Sequence, residues 1–65
     1  MFTATITKKD FRGGVFQVTV EYVNGGDVFT EAYNINSVED LNGRIENKLN
    51  TLNKLLELEA GLVIG

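Results

Sequence analysis

Apolar residues recur at every second position up to Ile35 and at every third or fourth position from Val38 onward, and the switch falls at Ser37. Period 2 marks a half-buried strand and a period near 3.6 an amphipathic helix, so the chain has to be built from strands followed by a helix. Two Gly-Gly pairs, Gly13-Gly14 and Gly25-Gly26, cut the alternating region into three. Strands joined by turns this short pair antiparallel with their neighbours. The expectation is a single α+β domain over residues 1–65: a three-stranded antiparallel β-meander followed by one long C-terminal amphipathic helix.

The first strand is expected at about residues 2–9, with Phe2, Ala4 and Ile6 on one face and Thr3, Thr5 and Thr7 on the other. The second, at about residues 15–23, sets Phe16, Val18, Val20 and Tyr22 against Gln17, Thr19 and Glu21. Between them Asp10 and Gly14 suit the ends of a three-residue loop, with Gly13 left-handed. That closure places Ile6 opposite Val18, Ala4 opposite Val20 and Phe2 opposite Tyr22. The second turn is read as Gly25-Gly26 alone, which pairs Val23 with Val28 and Tyr22 with Phe29 and starts a third strand at about residues 28–35. One residue breaks the pattern: Glu31 falls on the apolar face opposite Val20. An inward charge on an edge strand opposes unwanted pairing, and its stem is expected to reach water past the edge.

Ser37 is a good N-cap, with Asp40 three residues on and Glu39 adding favourable charge at the helix start. A helix is expected over about residues 38–60, stopped by Gly61, with an apolar stripe of Val38, Leu41, Ile45, Leu49, Leu52, Leu55 and Leu56. Its last turns would project beyond the shorter strands. Asn42, Asn47, Asn50, Asn53 and Gly43 are poor helix formers, so the stripe must be buried against the sheet or a partner. The expected core is Phe2, Ala4, Ile6, Phe16, Val18, Val20, Tyr22, Phe29, Tyr33, Ile35, Leu41, Ile45, Leu49, Leu52 and Leu56. An apolar tail, Leu62, Val63, Ile64 and Gly65, follows the helix stop.

At 65 residues the core is thin, and small domains supplement thin cores with disulfides, metals or partner chains. Cysteine and histidine are both absent, which removes disulfides, a structural zinc site and any Cys or His nucleophile-base arrangement. Association becomes the leading supplement. Neither Gly-Gly pair is followed by Gly-Lys-Ser/Thr or belongs to a G-x-G-x-x-G, and the acidic residues do not follow a calcium-loop spacing. No two carboxylates are singled out as an acid/base pair. The chain therefore reads as non-enzymatic, with no catalytic, cofactor or metal residues. Lys8, Lys9, Phe11 and Arg12 form a basic aromatic cluster at the first hairpin, the one place where nucleic acid could be held. Asp10 interrupts it, and a net charge of -3 opposes phosphate attraction.

No basic region followed by a long apolar run opens the sequence, and no apolar run is long enough to span a bilayer. This points to a chain that is neither membrane-spanning nor secreted by a signal peptide, and is cytoplasmic in a host cell or virion-associated. The threonine-rich outer sheet face reads as solvated surface or as a flat contact for a neighbouring subunit.

From Thr5-Ile6-Thr7-Lys8-Lys9-Asp10-Phe11 through Phe29-Thr30-Glu31-Ala32-Tyr33 to Ser37-Val38-Glu39-Asp40-Leu41, the overall pattern resembles small uncharacterised proteins encoded by tailed phages and prophages. That resemblance implies a role in virion structure or assembly and carries no site residues with it. The residues themselves point to a homo-oligomeric interaction module whose contact is Leu52, Leu55, Leu56, Leu62, Val63 and Ile64. The competing reading is a monomeric regulator that binds a host or phage protein through an open sheet edge.

Overall fold

The structure is a computed structural model and describes residues 1–58, 60, 61 and 63. Three strands, β1 (Thr3–Arg12), β2 (Val15–Asn24) and β3 (Asp27–Ile35), form one antiparallel sheet in the order β1-β2-β3, and a single helix, α1 (Val38–Leu55), follows. The α+β meander-plus-helix expected from the sequence is the architecture found.

The second hairpin has the expected register, with Val23 opposite Val28, Tyr22 opposite Phe29 and Glu31 opposite Val20. The first does not. Its turn is the two residues Gly13-Gly14 rather than a three-residue loop, so Arg12 pairs with Val15 and β1 runs three residues beyond the expected position 9. Both glycines take positive φ, 57° and 81°, as a two-residue turn twisted to match its strands requires. The resulting frame would send Ile6 to the outer face, but the register shifts between Ile6 and Lys8. Thr7 is the extra residue of a β-bulge, and its hydroxyl donates to the Thr19 carbonyl at 3.4 Å. Beyond the bulge Ile6 faces Val20, not Val18, and Ala4 faces Tyr22, not Val20. Phe2 lies just outside the ladder, which opens at Thr3 opposite Val23.

α1 begins where the sequence places it. Ser37 caps the helix in extended conformation, its Oγ accepting from the Asp40 N–H at 3.1 Å, and Arg44 pairs with Asp40 at 3.1 Å one turn on. The helix closes at Leu55, five residues short of the expected position 60. At that end the Phe2 N–H donates to Asn53 Oδ1 at 2.7 Å and the Met1 amine to Asn24 Oδ1 at 3.0 Å, so the sheet ends beneath Asn53. The chain tightens instead into bonds spanning three residues, from the Glu57 N–H to the Lys54 carbonyl and from the Leu58 N–H to the Leu55 carbonyl, each 3.1 Å. Glu57 near a helix C-terminus also opposes the helix dipole. The expected projection beyond the sheet is thus absent from the described residues.

Among the described residues six are buried: Val18, Val20, Tyr22, Tyr33, Ile35 and Leu41. Phe2, Ala4, Ile45, Leu49 and Leu52 pack against them, partly covered. Four expected core members are exposed instead: Ile6, Phe16, Phe29 and Leu56. An α-helix is about 10 Å wide and three strands span about 10 Å between outer axes plus their side chains, so one helix covers the central strand fully and the edges incompletely. Ile6 and Phe29 sit on the two edge strands. Phe16 lies at the end of the sheet where the first hairpin runs past the start of α1.

Candidate interaction surfaces

Two apolar surfaces lie at opposite ends of the molecule. At the hairpin end, the Gly13-Gly14 turn sets Phe11 directly opposite Phe16, with ring centroids 4.7 Å apart and planes tilted by 53°. Both rings are on the face that α1 covers elsewhere, because Phe16 and Val18 share it. The bulge returns Ile6 to the same face. Between this ribbon and the first turn of α1 runs a groove of about 400 Å³, walled by Ile6, Phe16, Val18, Ile35, Val38 and Leu41 with Lys9 at its rim. Ile6 is 53% exposed and Val38 68%.

The other end carries the residues expected from the sequence to make contact. Leu55, Leu56 and Leu58 are exposed, and Val63 is 88% exposed. Leu52 packs against the core rather than standing free. Leu62 and Ile64 lie outside the described residues.

Lys8, Lys9, Phe11 and Arg12 do not share a surface. Lys8 and Arg12 lie opposite Thr19 and Val15 on the outer face, and Arg12 approaches Asp10 at 3.6 Å. Lys9 and Phe11, opposite Val18 and Phe16, lie on the helix side. The ribbon therefore divides the cluster between its two faces.

A polar arrangement crosses the third strand. The Glu31 side chain stays partly exposed at the sheet edge, where its carboxylate meets Lys48 of α1 at 3.4 Å and its Oε2 is shielded from solvent without a hydrogen bond. The Lys48 ammonium also lies 4.5 Å from the centroid of the Phe29 ring. Deeper in, the hydroxyls of Tyr22 and Tyr33 share a buried hydrogen bond of 2.6 Å. Burial above all, then that bond and the nearby negative charge of Tyr33 and Glu31, raises the Tyr22 pKa well above its ordinary value. The Tyr22 phenol therefore stays protonated across the ordinary pH range, and either hydroxyl of the pair can be the donor. Outside this pair, Glu31, Arg44, Asn47, Lys48 and Thr51 line a shallow groove of about 660 Å³ along the free edge of β3.

Among the described residues no three acidic side chains converge as metal ligands, and no helix is long and apolar enough to cross a membrane. The chain matches no protein-family model, and comparison with curated proteins and with solved structures returns no match.

A three-residue first loop places Phe11 in the turn and so hides the hairpin-end surface from the sequence. The signal for it was present in the glycines: two in succession permit a two-residue turn, which alone brings Phe11 and Phe16 together.

Proposed function

We propose that the protein is a non-enzymatic interaction module that works by associating with copies of itself. The supporting observation is its surface. A folded monomer of 7.2 kDa exposes about 4,100 Å² on average, whereas this chain exposes 4980 Å². The radius of gyration, 14.4 Å, likewise exceeds the roughly 11 Å of a compact domain of 65 residues. The extra surface includes apolar side chains at both ends, and covering them would supplement a core of six buried residues among those described.

The test is solution mass over a concentration series, by sedimentation equilibrium or by light scattering after size exclusion. A mass of twice 7.2 kDa or a larger multiple is expected. A monomer across the whole series overturns the proposal. The resemblance to tailed-phage proteins supports a place for such a module in virion structure or assembly.

A second reading, a monomeric regulator that captures a host or phage protein by strand addition, draws on the free edge of β3. That edge is nine residues long, carries no proline and borders the polar groove.

A further inference from the structure

The apolar groove and the apolar C-terminal segment of one copy cannot meet each other. α1 has 18 residues and is about 27 Å long, and the groove lies at its first turn while the segment leaves its last. Leu58 is tied to that last turn by its bond to the Leu55 carbonyl. From Leu58 the five residues to Val63 reach about 18 Å even when fully extended. The groove is out of range in the same chain.

The groove and the segment nevertheless match in chemistry. Among the described residues lining the groove, Lys9 carries the one charge, and the other walls are chiefly apolar. The segment over residues 57–63 reads Glu-Leu-Glu-Ala-Gly-Leu-Val, with two carboxylates, no cation and apolar residues between and after them. The N-terminal end of α1 adds partial positive charge close to the groove.

We infer that two copies associate antiparallel about a two-fold axis, each seating its C-terminal segment over residues 57–63 in the groove that Ile6, Phe16 and Val38 form on the other. Each copy has one groove and one segment, so a single two-fold operation fills both and closes the assembly. The arrangement covers the exposed apolar residues at both ends of both copies and sets Glu57 toward Lys9. It rests on the self-association reading and adds to it the occupant, the orientation and the stoichiometry.

The absence of cysteine allows a clean test by placed thiols. Val38→Cys and Val63→Cys are made separately, both at exposed positions, and an equimolar mixture is treated with a short bis-maleimide while its mass is followed by sedimentation. The expected result is a dimer in which 38-to-63 links greatly outnumber 38-to-38 and 63-to-63 links. Adding Lys9→Glu to the Val38→Cys copy should lower the 38-to-63 yield several-fold at low salt, and an unchanged yield contradicts the charge match. A dimer linked mainly like to like overturns the antiparallel arrangement and leaves self-association standing. Unlike links in a ladder extending above the dimer overturn the two-fold closure. A monomer without links overturns both readings.

Discussion

Removing the hydroxyl of Tyr33 isolates the contribution of the buried phenol pair. In the parent, each hydroxyl satisfies the other at 2.6 Å, and Tyr22 is fully buried while Tyr33 is nearly so. Tyr33→Phe leaves the Tyr22 hydroxyl beneath the helix with no partner, and an unsatisfied buried hydroxyl costs about 1–3 kcal/mol. Taking ~2 kcal/mol, and a shift of ~4–8 °C per kcal/mol for a domain of this size, the melting temperature should fall by roughly 8–16 °C. The double variant Tyr22→Phe/Tyr33→Phe removes both polar groups and should recover most of that loss, to within ~1 kcal/mol of the parent. The assay is urea unfolding followed by far-UV circular dichroism, at one protein concentration throughout because self-association adds a concentration-dependent stabilisation. The two single variants and the double variant form a cycle, and the coupling should be favourable by more than ~1 kcal/mol. If Tyr33→Phe costs less than ~0.5 kcal/mol and the two changes simply add, water reaches the Tyr22 hydroxyl and the pair is not the sealed contact described above.

Four shorter predictions follow from the same geometry. Because the Tyr22 pKa lies above its ordinary value of 10.0, the unfolded chain loses this proton first; stability from this group is intact below pH 10 and declines above it. Tyr22→Phe should flatten that alkaline decline in unfolding curves collected from about pH 8 to about pH 11. Alanine should act in opposite directions at two glycines whose added methyl meets no neighbour. Gly14→Ala, at φ +81°, should destabilise by ~1–2 kcal/mol, and Gly43→Ala, inside α1, should stabilise by ~0.5–1 kcal/mol, both read from urea midpoints. Ser37→Ala removes the oxygen that accepts from the Asp40 N–H and should cost ~1 kcal/mol with loss of helical ellipticity on heating. Glu31→Leu, which removes a partly exposed carboxylate whose Oε2 is shielded and lacks a hydrogen bond, should leave stability unchanged or raise it; a clear loss would mean that the Lys48 contact outweighs desolvation.

The parts of the fold that were legible in the sequence are those set by local signals. Gly25-Gly26 between Asn24 and Asp27 admits one tight turn, and the register of β2 and β3 follows from it. Ser37 with Asp40 fixes the start of α1 for the same kind of reason. The first hairpin misled because Asp10 and Gly13 suit a three-residue loop as well as Gly13-Gly14 suits a two-residue one, and only the tertiary structure chooses. The three-residue loop still puts Phe2, Ala4 and Ile6 on the correct face, though opposite the wrong partners, since the altered turn and the bulge at Thr7 cancel in parity but not in register. Lys9 and Phe11 lie on the turn side of the bulge, where nothing cancels, and the apolar hairpin end went unseen. The helix end was misjudged for a different reason. Periodicity reports which residues prefer a common face, not where the sheet beneath them stops, and α1 ends at Leu55, two residues past the contact of Asn53 with Phe2.

The bulge also makes the three strands unequal in their tolerance of length change. Thr7 belongs to none of the nine residue pairs between β1 and β2. Deleting it leaves every partner in place and joins two ladder segments that are already in phase. A deletion inside β2 has no such spare position: it displaces partners on both sides at once and turns half of the strand inside out. In-frame loss of a single codon should therefore be nearly silent at position 7 and ruinous a few positions past the turn, and a gene pool drifting by small indels would accumulate them in the first strand.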